Sequence, residues 1–313
     1  MLDLHRLRLL KEFAARGTIA ATAAAMGYTP SAVSQQLAAL EREAGMALLD
    51  RTARSAELTD AGLRLAAHAE RILAQVEEAE ADLSAAAREP SGRVSVAAFP
   101  TAAAAFAPAL ARSLRAHPGL TLLLRQTQRA EGLRQVSSAE VDVALVDDWS
   151  GGLGGPESAL LRFYPLVRDP LVLVAPRGHR LADPAEPVDL RQLRETSRWM
   201  AAPAGEPSRQ AVYLLLAGVG GAPPVPWEFE GLGTILSRVA KGIGIAAVPR
   251  LALAAGDARV AVRELPEGSP AREVYAVARA ASVRRPSVAV ILTVLHDGVE
   301  HLPGRGGRSR LVL

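Results

Sequence analysis

Across residues 1–58 the apolar positions recur at helical spacing rather than in strand-like alternation. Leu4, Leu7, Leu10 and Phe13 step by three, which predicts an amphipathic helix stopped at Gly17. Thr18 is placed to cap a short, alanine-rich second helix ending at Gly27-Tyr28. Thr29-Pro30 then joins an N-cap residue to proline at the first helical position, and the helix it opens runs to about Ala44, with Gly45 as its exit. That third helix has two unlike faces. Val33, Leu37 and Leu40 share one side and anchor it to a core; Ser31, Ser34 and Gln35 share the other, with Arg42 further along. A small, polar, uncharged face suits close approach to phosphates and base edges, and Gln can pair bidentately with adenine. From this helix alone, an ordinary exposed face is an equal reading. The stretch from Leu48 to Thr59 reads as a short two-stranded wing, with Arg51 and Arg54 able to meet phosphates or the minor groove. Paired surface arginines are common, and these gain meaning only from following the helix pair.

Thr59-Asp60 begins a long helix to about Arg88, closed by Pro90 and Gly92. Along it Leu65, Ala69, Ile72, Val76, Ala79, Leu83 and Ala86 step alternately by four and three, a heptad seam about 40 Å long. Glu70, Glu77, Glu78, Glu80 and Asp82 make the opposite face acidic and favour a free-standing coiled-coil linker over a helix lying on its own domain. From Arg93 the pattern changes to α/β. Strands are expected at Val94–Ala98, Leu120–Gln126, Val141–Val146, Leu171–Ala175, Trp199–Ala201, Ile245–Val248 and Val274–Ala278. Helices fall between them, near 101–116, 130–138, 207–217, 232–241 and 286–297. Such alternation implies largely parallel sheets, with ligands at the carboxyl ends of strands.

Composition narrows the chemistry. The 313 residues are 49% hydrophobic, ample for two or three cored domains. There is no cysteine, which removes thiolate catalysis, cysteine metal sites and disulfides. His5, His68, His117, His179, His296 and His301 are scattered without metal-ligand spacing, so no metal and no cofactor is expected. Gly242-Ile243-Gly244-Ile245-Ala246-Ala247 matches a dinucleotide pattern by letter, but it follows a helix and enters a strand, the reverse of the order that pattern requires. No nucleophile elbow or phosphate-binding Walker loop occurs, and no catalytic residues are expected. The N-terminus carries no secretory pattern and no uncharged stretch reaches membrane-spanning length, so the cytoplasm is the expected location. Net charge is +3, yet acids and bases cancel within the first sixty residues, so any nucleic-acid reading rests on local placement.

The helix pair, wing, long helix and α/β remainder together resemble the LysR-type transcriptional regulators, over nearly the full length. The likeness is carried by Gly17-Thr18-Ile19-Ala20-Ala21-Thr22-Ala23-Ala24 and by Thr29-Pro30-Ser31-Ala32-Val33-Ser34-Gln35-Gln36-Leu37. It continues in Leu40-Glu41, Leu48-Leu49-Asp50-Arg51-Thr52 and Leu58-Thr59-Asp60-Ala61-Gly62. The resemblance implies an α plus α/β chain. A winged helix-turn-helix would occupy 1–58 and a dimerising linker helix 59–89. A periplasmic-binding-protein-like effector module at 93–301 and a basic tail at 302–313 would follow. Within the module, subdomain 1 would take about 93–165 and 267–301, and subdomain 2 about 166–266, joined by two crossover strands that permit hinge closure. It also implies a homodimer or homotetramer on a partly palindromic double-stranded operator, a small-molecule effector, RNA polymerase as a further partner, and no membrane. The DNA-contacting residues it implies are Thr29, Ser31, Ser34 and Gln35, with Arg51, Thr52 and Arg54 from the wing. Leu173–Ala182 looks like the loop such proteins carry early in the second subdomain. Two features depart from the family pattern. Ala53-Arg54-Ser55-Ala56 lacks the glycine common after the wing arginine, and Gln35 stands where many members have a basic residue.

An effector is expected at strand ends and helix N-termini. Phe99, Pro100 and Thr101 follow the first strand, where backbone amides and the Thr101 hydroxyl could hold an anion, Thr101 serving equally well as a helix cap. Gln126 and Gln128 follow the next strand, where amides in place of the acids many relatives carry suggest a different or less cationic ligand. Asp147 follows the third, within Asp147-Asp148-Trp149, a stretch that also reads as a solvated loop. Ala202, Pro203, Glu230 and Gly231 precede helices on the opposite wall. Three other classes compete: an enzyme, which has no candidate residues; a solute-binding protein, which residues 1–90 contradict; and a purely architectural DNA binder, which has no use for so large an α/β module. The glycine-rich tail Gly304–Arg310 reads as frayed chain, or as an added nonspecific DNA anchor.

Overall fold

A computed structural model describes residues 1–51, 55–85, 90–152, 160–223, 225–255 and 259–302. They group into two compact units: residues up to 85 (with Ala281–Arg285), and otherwise the described residues from 90 onward.

The first unit opens with α1 (Leu4–Arg16), α2 (Ile19–Met26) and α3 (Pro30–Ala44). Asp3, Thr18 and Thr29 accept the backbone N–H groups of Arg6, Ala21 and Ala32 and so cap the three helices. Gly45 ends α3 at φ 70°, a left-handed turn that a side chain would strain. Strands β1 (Leu49–Arg51) and β2 (Ala56–Leu58) pair antiparallel as the wing. Helix α4 (Asp60–Ala85) follows. Leu7, Leu10, Phe13, Val33, Leu37, Leu40 and Leu48 form the core.

Two expectations change here. Leu4 is exposed and Leu9 is buried instead, because α4 covers α1 beyond the stripe that a step of three marks out. The seam of the long helix is also divided. Leu65 packs on the core and Ala69 is fully buried in it, so the opening turns of α4 lie on their own domain, whereas Ile72 and Leu83 are exposed. Residues 86–89, the expected end of this helix, lie outside the described residues.

The second unit begins with β3 (Gly92–Ala98), α5 (Pro100–Ala116), β4 (Leu120–Gln126), α6 (Arg129–Ser137) and β5 (Val143–Asp148). Their strands are parallel, in the order β4-β3-β5. Then β6 (Leu161–Pro176) pairs with β11 (Ala271–Arg279) along its first ten residues and with β9 (Ala246–Pro249) and β10 (Val260–Glu264) along the rest. Around that second half stand α7 (Leu190–Thr196), β7 (Met200–Ala201), α8 (Pro207–Ala217), β8 (Trp227–Glu228), α9 (Leu232–Ala240) and β9. The chain returns through β10 and β11, and α10 (Pro286–Gly298) closes on α5.

The sheet is mixed rather than largely parallel. Strand β6 pairs antiparallel with β9, β10 and β11, and β11 pairs antiparallel with β5. The expected strand at Leu171–Ala175 is only the distal half of β6, and β8 and β10 were not expected. Gly242 and Gly244 lie between α9 and β9, so the glycine pattern does run from helix to strand.

After β6, His179 Nδ1 accepts the Leu181 N–H at 3.2 Å. Burial, with Arg180 beside it, lowers the His179 pKa below its ordinary value of 6.5. A ring whose folded pKa is depressed binds a proton more readily in the unfolded chain, so stability falls as pH drops below about 6.5. We expect this acid-side slope to shrink in His179→Asn, measured by urea unfolding of the second unit at pH 5 and pH 7.5. Equal slopes in both proteins would refute the assignment.

Candidate nucleic-acid interface and ligand cavity

The second helix of the α2–α3 pair carries the residues singled out for DNA. Thr29, Ser31 and Gln35 are exposed, and Ser34 is half-buried beside the wing. The Thr29 hydroxyl is engaged as the cap of α3, accepting the Ala32 N–H at 3.2 Å. Arg51, at the end of β1, reaches back to α3. Its Nη1 donates to Ser34 Oγ at 2.8 Å and its Nη2 lies 3.4 Å from Glu41 Oε2. The other Glu41 oxygen accepts the N–H groups of Leu48 and Leu49, each at 3.0 Å. Thr52 and Arg54 lie outside the described residues. Arg6 ties α1 to the flank of α3 through Gln36 and Glu43. Sequence reasoning passed over Tyr28, exposed just before the α3 cap with its ring edge-on to His5 at 5.6 Å.

In the second unit a cavity of about 410 Å³ opens where four helices point their N-termini. Phe99, Pro100 and Thr101 come from α5, Gln128 and Arg129 from α6, Glu206, Pro207 and Ser208 from α8, and Glu230, Gly231 and Leu232 from α9. None of these four N-termini has a side-chain cap, unlike α1, α2, α3 and α7. Their free backbone N–H groups make the walls donors to an anionic or acceptor-rich ligand. Asp147, Trp149, Ser150, Ala202, Pro203 and Arg272 complete the lining.

Arg272 organises the floor. It stands on β11 directly opposite Asp169 on β6, and only 4% of it is exposed. Nε donates to Asp169 at 2.8 Å, Nη1 to Asp147 at 3.0 Å and Nη2 to Thr101 Oγ1 at 2.7 Å. The guanidinium also lies 4.7 Å from the centre of the Phe99 ring and 5.7 Å from that of Trp149. The second oxygen of Asp169 accepts the Leu251 N–H at 2.9 Å. Burial pushes the Asp169 carboxyl up, and Arg272 opposes the shift. One guanidinium thus joins the α5 end, the β5 end and the long strand beneath the cavity.

Of the residues expected here, all but Gln126 line the cavity. Gln126, the last residue of β4, pairs with Ala98 at the sheet edge and is exposed away from it. Thr101 is not the helix cap: Phe99 holds that position, and the Thr101 hydroxyl accepts from Arg272. Asp147 and Asp148 are no solvated loop. They end β5, and Asp148 is buried, accepting from Ser150 N and Oγ at 3.0 and 2.7 Å and from Arg129 at 3.4 Å. Arg272, Asp169 and Arg129 were missed. Asp169, after Arg168, and Arg272, before Glu273, each stand in a charge pair beside an apolar run, and that run is their only sequence signal.

Among the described residues no helix is long and apolar enough to cross a membrane, and no group of three or more His, Asp or Glu could hold a metal ion.

Residues 4–63 match the family model described as a bacterial regulatory helix-turn-helix protein of the lysR family, and 87–300 match the LysR substrate binding domain. The chain is 32% identical to the HTH-type transcriptional regulator CbbR of Xanthobacter flavus, covering 98% of this chain and 93% of that one. Full-length OxyR from Pseudomonas aeruginosa, as a cysteine variant, superposes with a TM-score of 0.68 at 20% identity, over 97% of this chain and 96% of that one. Full-length CbnR complexed with its target DNA gives 0.53 at 22% identity, over 95% of this chain and all of that one. At such identities the solved structures speak to the fold.

Proposed function

From the premise that this chain belongs to the LysR family of DNA-binding transcriptional regulators with an effector-binding domain, we propose a division of labour among its parts. Residues 1–58 bind operator DNA. Helix α4 pairs with that of a second copy through Ile72 and Leu83, which share one face of it and stand exposed. The module at 93–301 binds a small effector in the cavity above Arg272. The observation carrying the DNA reading is that Ser31, Ser34, Gln35 and Arg51 share one face of the first unit, with Ser34 and Arg51 in direct contact. The uncapped amide ends around the cavity favour an effector with an anionic or strongly accepting group. The family's role as transcriptional regulators argues against an enzyme. The same role suits the cytoplasm, assembly as a dimer or tetramer, and contact with RNA polymerase at the promoter.

The test is a footprint and gel shift of the purified protein, at fixed salt, on the DNA upstream of its own gene. Ser34→Ala, Gln35→Ala and Arg51→Ala should each weaken specific binding by about 1–3 kcal/mol. Arg51→Ala should also reduce the salt slope by about 1, as loss of one phosphate contact requires. A protected site whose affinity is indifferent to all three would remove these residues from the interface. Failure to enrich any sequence from random duplexes as well would overturn DNA binding itself.

A further inference from the structure

We propose that Glu41 is a positioning residue of the DNA-reading surface. It fixes Arg51 against Ser34 before DNA arrives, so that the two act as one unit and the Ser34 hydroxyl is presented as a donor. The inference rests on the DNA-binding reading above.

Ser34 and Glu41 are seven residues apart on α3 and therefore lie on one stripe, about two turns apart. Strand β1 runs alongside. Leu49 and Arg51 alternate to the same side of it, Leu49 into the core and Arg51 onto that stripe. The Glu41 carboxylate divides its work between its oxygens. Oε1 takes the N–H groups of Leu48 and Leu49 and so fixes the start of the strand. Oε2 takes Arg51 Nη2 at 3.4 Å, leaving Nη1 to donate to Ser34 Oγ at 2.8 Å. An arginine held at two points by a rigid helix loses little freedom on meeting a phosphate. The guanidinium charge also turns the Ser34 hydroxyl hydrogen away from itself. That hydrogen is then directed to an acceptor, a phosphate oxygen or a base edge such as guanine O6 or N7.

Glu41 is also an acid beside a polyanion, so its removal sets two effects against each other. Simple charge removal raises affinity for every duplex alike. Loss of positioning lowers affinity for the specific site only.

The experiment uses the full-length chain and two duplexes of equal length, the sequence it enriches from random DNA and a scrambled control. Glu41→Gln keeps an oxygen for the Leu48 and Leu49 N–H groups and abolishes the ion pair. We expect the ratio of specific to nonspecific affinity to fall about tenfold, equivalent to about 1.4 kcal/mol. The salt slope of the specific complex should fall towards that of Arg51→Ala. In an Arg51→Ala background, Glu41→Gln should change the ratio no further, because what it positions is already gone. A role confined to holding the Leu48 and Leu49 amides, which Gln still accepts, would instead leave the ratio unchanged in both backgrounds and would overturn the proposal. So would an equal change on both duplexes. Should Glu41→Gln unfold the domain by circular dichroism, the Ser34→Ala and Arg51→Ala cycle decides: additive losses overturn the unit, and coupled losses support it. If Arg51→Ala leaves specific binding intact, this proposal fails while DNA binding stands. If the wild-type chain enriches no sequence, DNA binding fails first.

Discussion

Replacing Arg272 with Met is expected to lower the stability of the second unit by about 3–5 kcal/mol, the cost of stranding the other half of a buried ion pair. Asp169 is 1% exposed, faces Arg272 across the β6–β11 register and keeps only the Leu251 N–H once the guanidinium is gone. The Thr101 hydroxyl loses its donor at the same stroke, and Asp147 is left with the Trp149 indole N–H at 3.2 Å. Burial already pushes the Asp169 carboxyl up against the opposing pull of Arg272. Without that pull its folded pKa rises further above the unfolded value of 3.8. The sign follows from proton uptake. The folded variant binds a proton that the unfolded chain releases, so its deficit grows as pH rises through the raised pKa and shrinks in acid. Urea unfolding from pH 5 to pH 8 measures both quantities. Pairing Arg272→Met with Asp169→Leu removes the stranded charge and should restore most of the loss. A single-variant deficit below about 1 kcal/mol would place Arg272 in a solvated setting and sink the account. The cavity stands on the same network, so any effector that stabilises the wild type should lose that effect in the single variant.

Gly62→Ala should cost the first unit on the order of 3 kcal/mol, at the upper end of what overpacking exacts. A Cβ at this position would sit 2.2 Å from the Leu48 carbonyl oxygen and 3.0 Å from Leu58 Cδ2. Backbone cannot yield as a flexible side-chain tip can. The Leu48 oxygen is itself held, accepting the Thr59 N–H at 3.0 Å, and the Gly62 N–H donates to Thr59 Oγ1 at 3.0 Å. The first turn of α4 must therefore swing away from the wing, breaking its own cap and disturbing the Leu49–Leu58 pairing. Specific DNA binding should fall with it, while the second unit unfolds as in the wild type. Gly218→Ala is the control. Its backbone is ordinary right-handed helix, nothing lies within 4 Å of an added Cβ, and a change within about 0.5 kcal/mol is expected. Two-transition calorimetry of the variants reads the effect. A first transition unmoved in Gly62→Ala would mean that α4 and the wing have room to part.

Elements whose physics is local could be read from the order of amino acids. Helix caps at Thr18 and Thr29, proline at the start of α3 and glycine at its end act over a few residues, so the first three helices were readable nearly to the residue. The α3 faces followed from 3.6-residue periodicity, and most of the cavity lining from the rule that ligands meet strand ends and helix starts. Features that depend on distant partners emerged only in the folded chain. Whether the seam of α4 lies free or on its own domain was settled by α1 covering Leu65 and Ala69. The sheet became mixed because β6 is one strand of sixteen residues, whose halves a periodicity reading cannot join across Asp169-Pro170. Arg272 meets Thr101 across 171 positions and Asp169 across 103, a separation at which no local pattern reports which charge will find which partner. The Arg51 contact with Ser34 spans only 17 positions, yet it too needed the wing folded back on α3 before a surface arginine could be told from a positioned one.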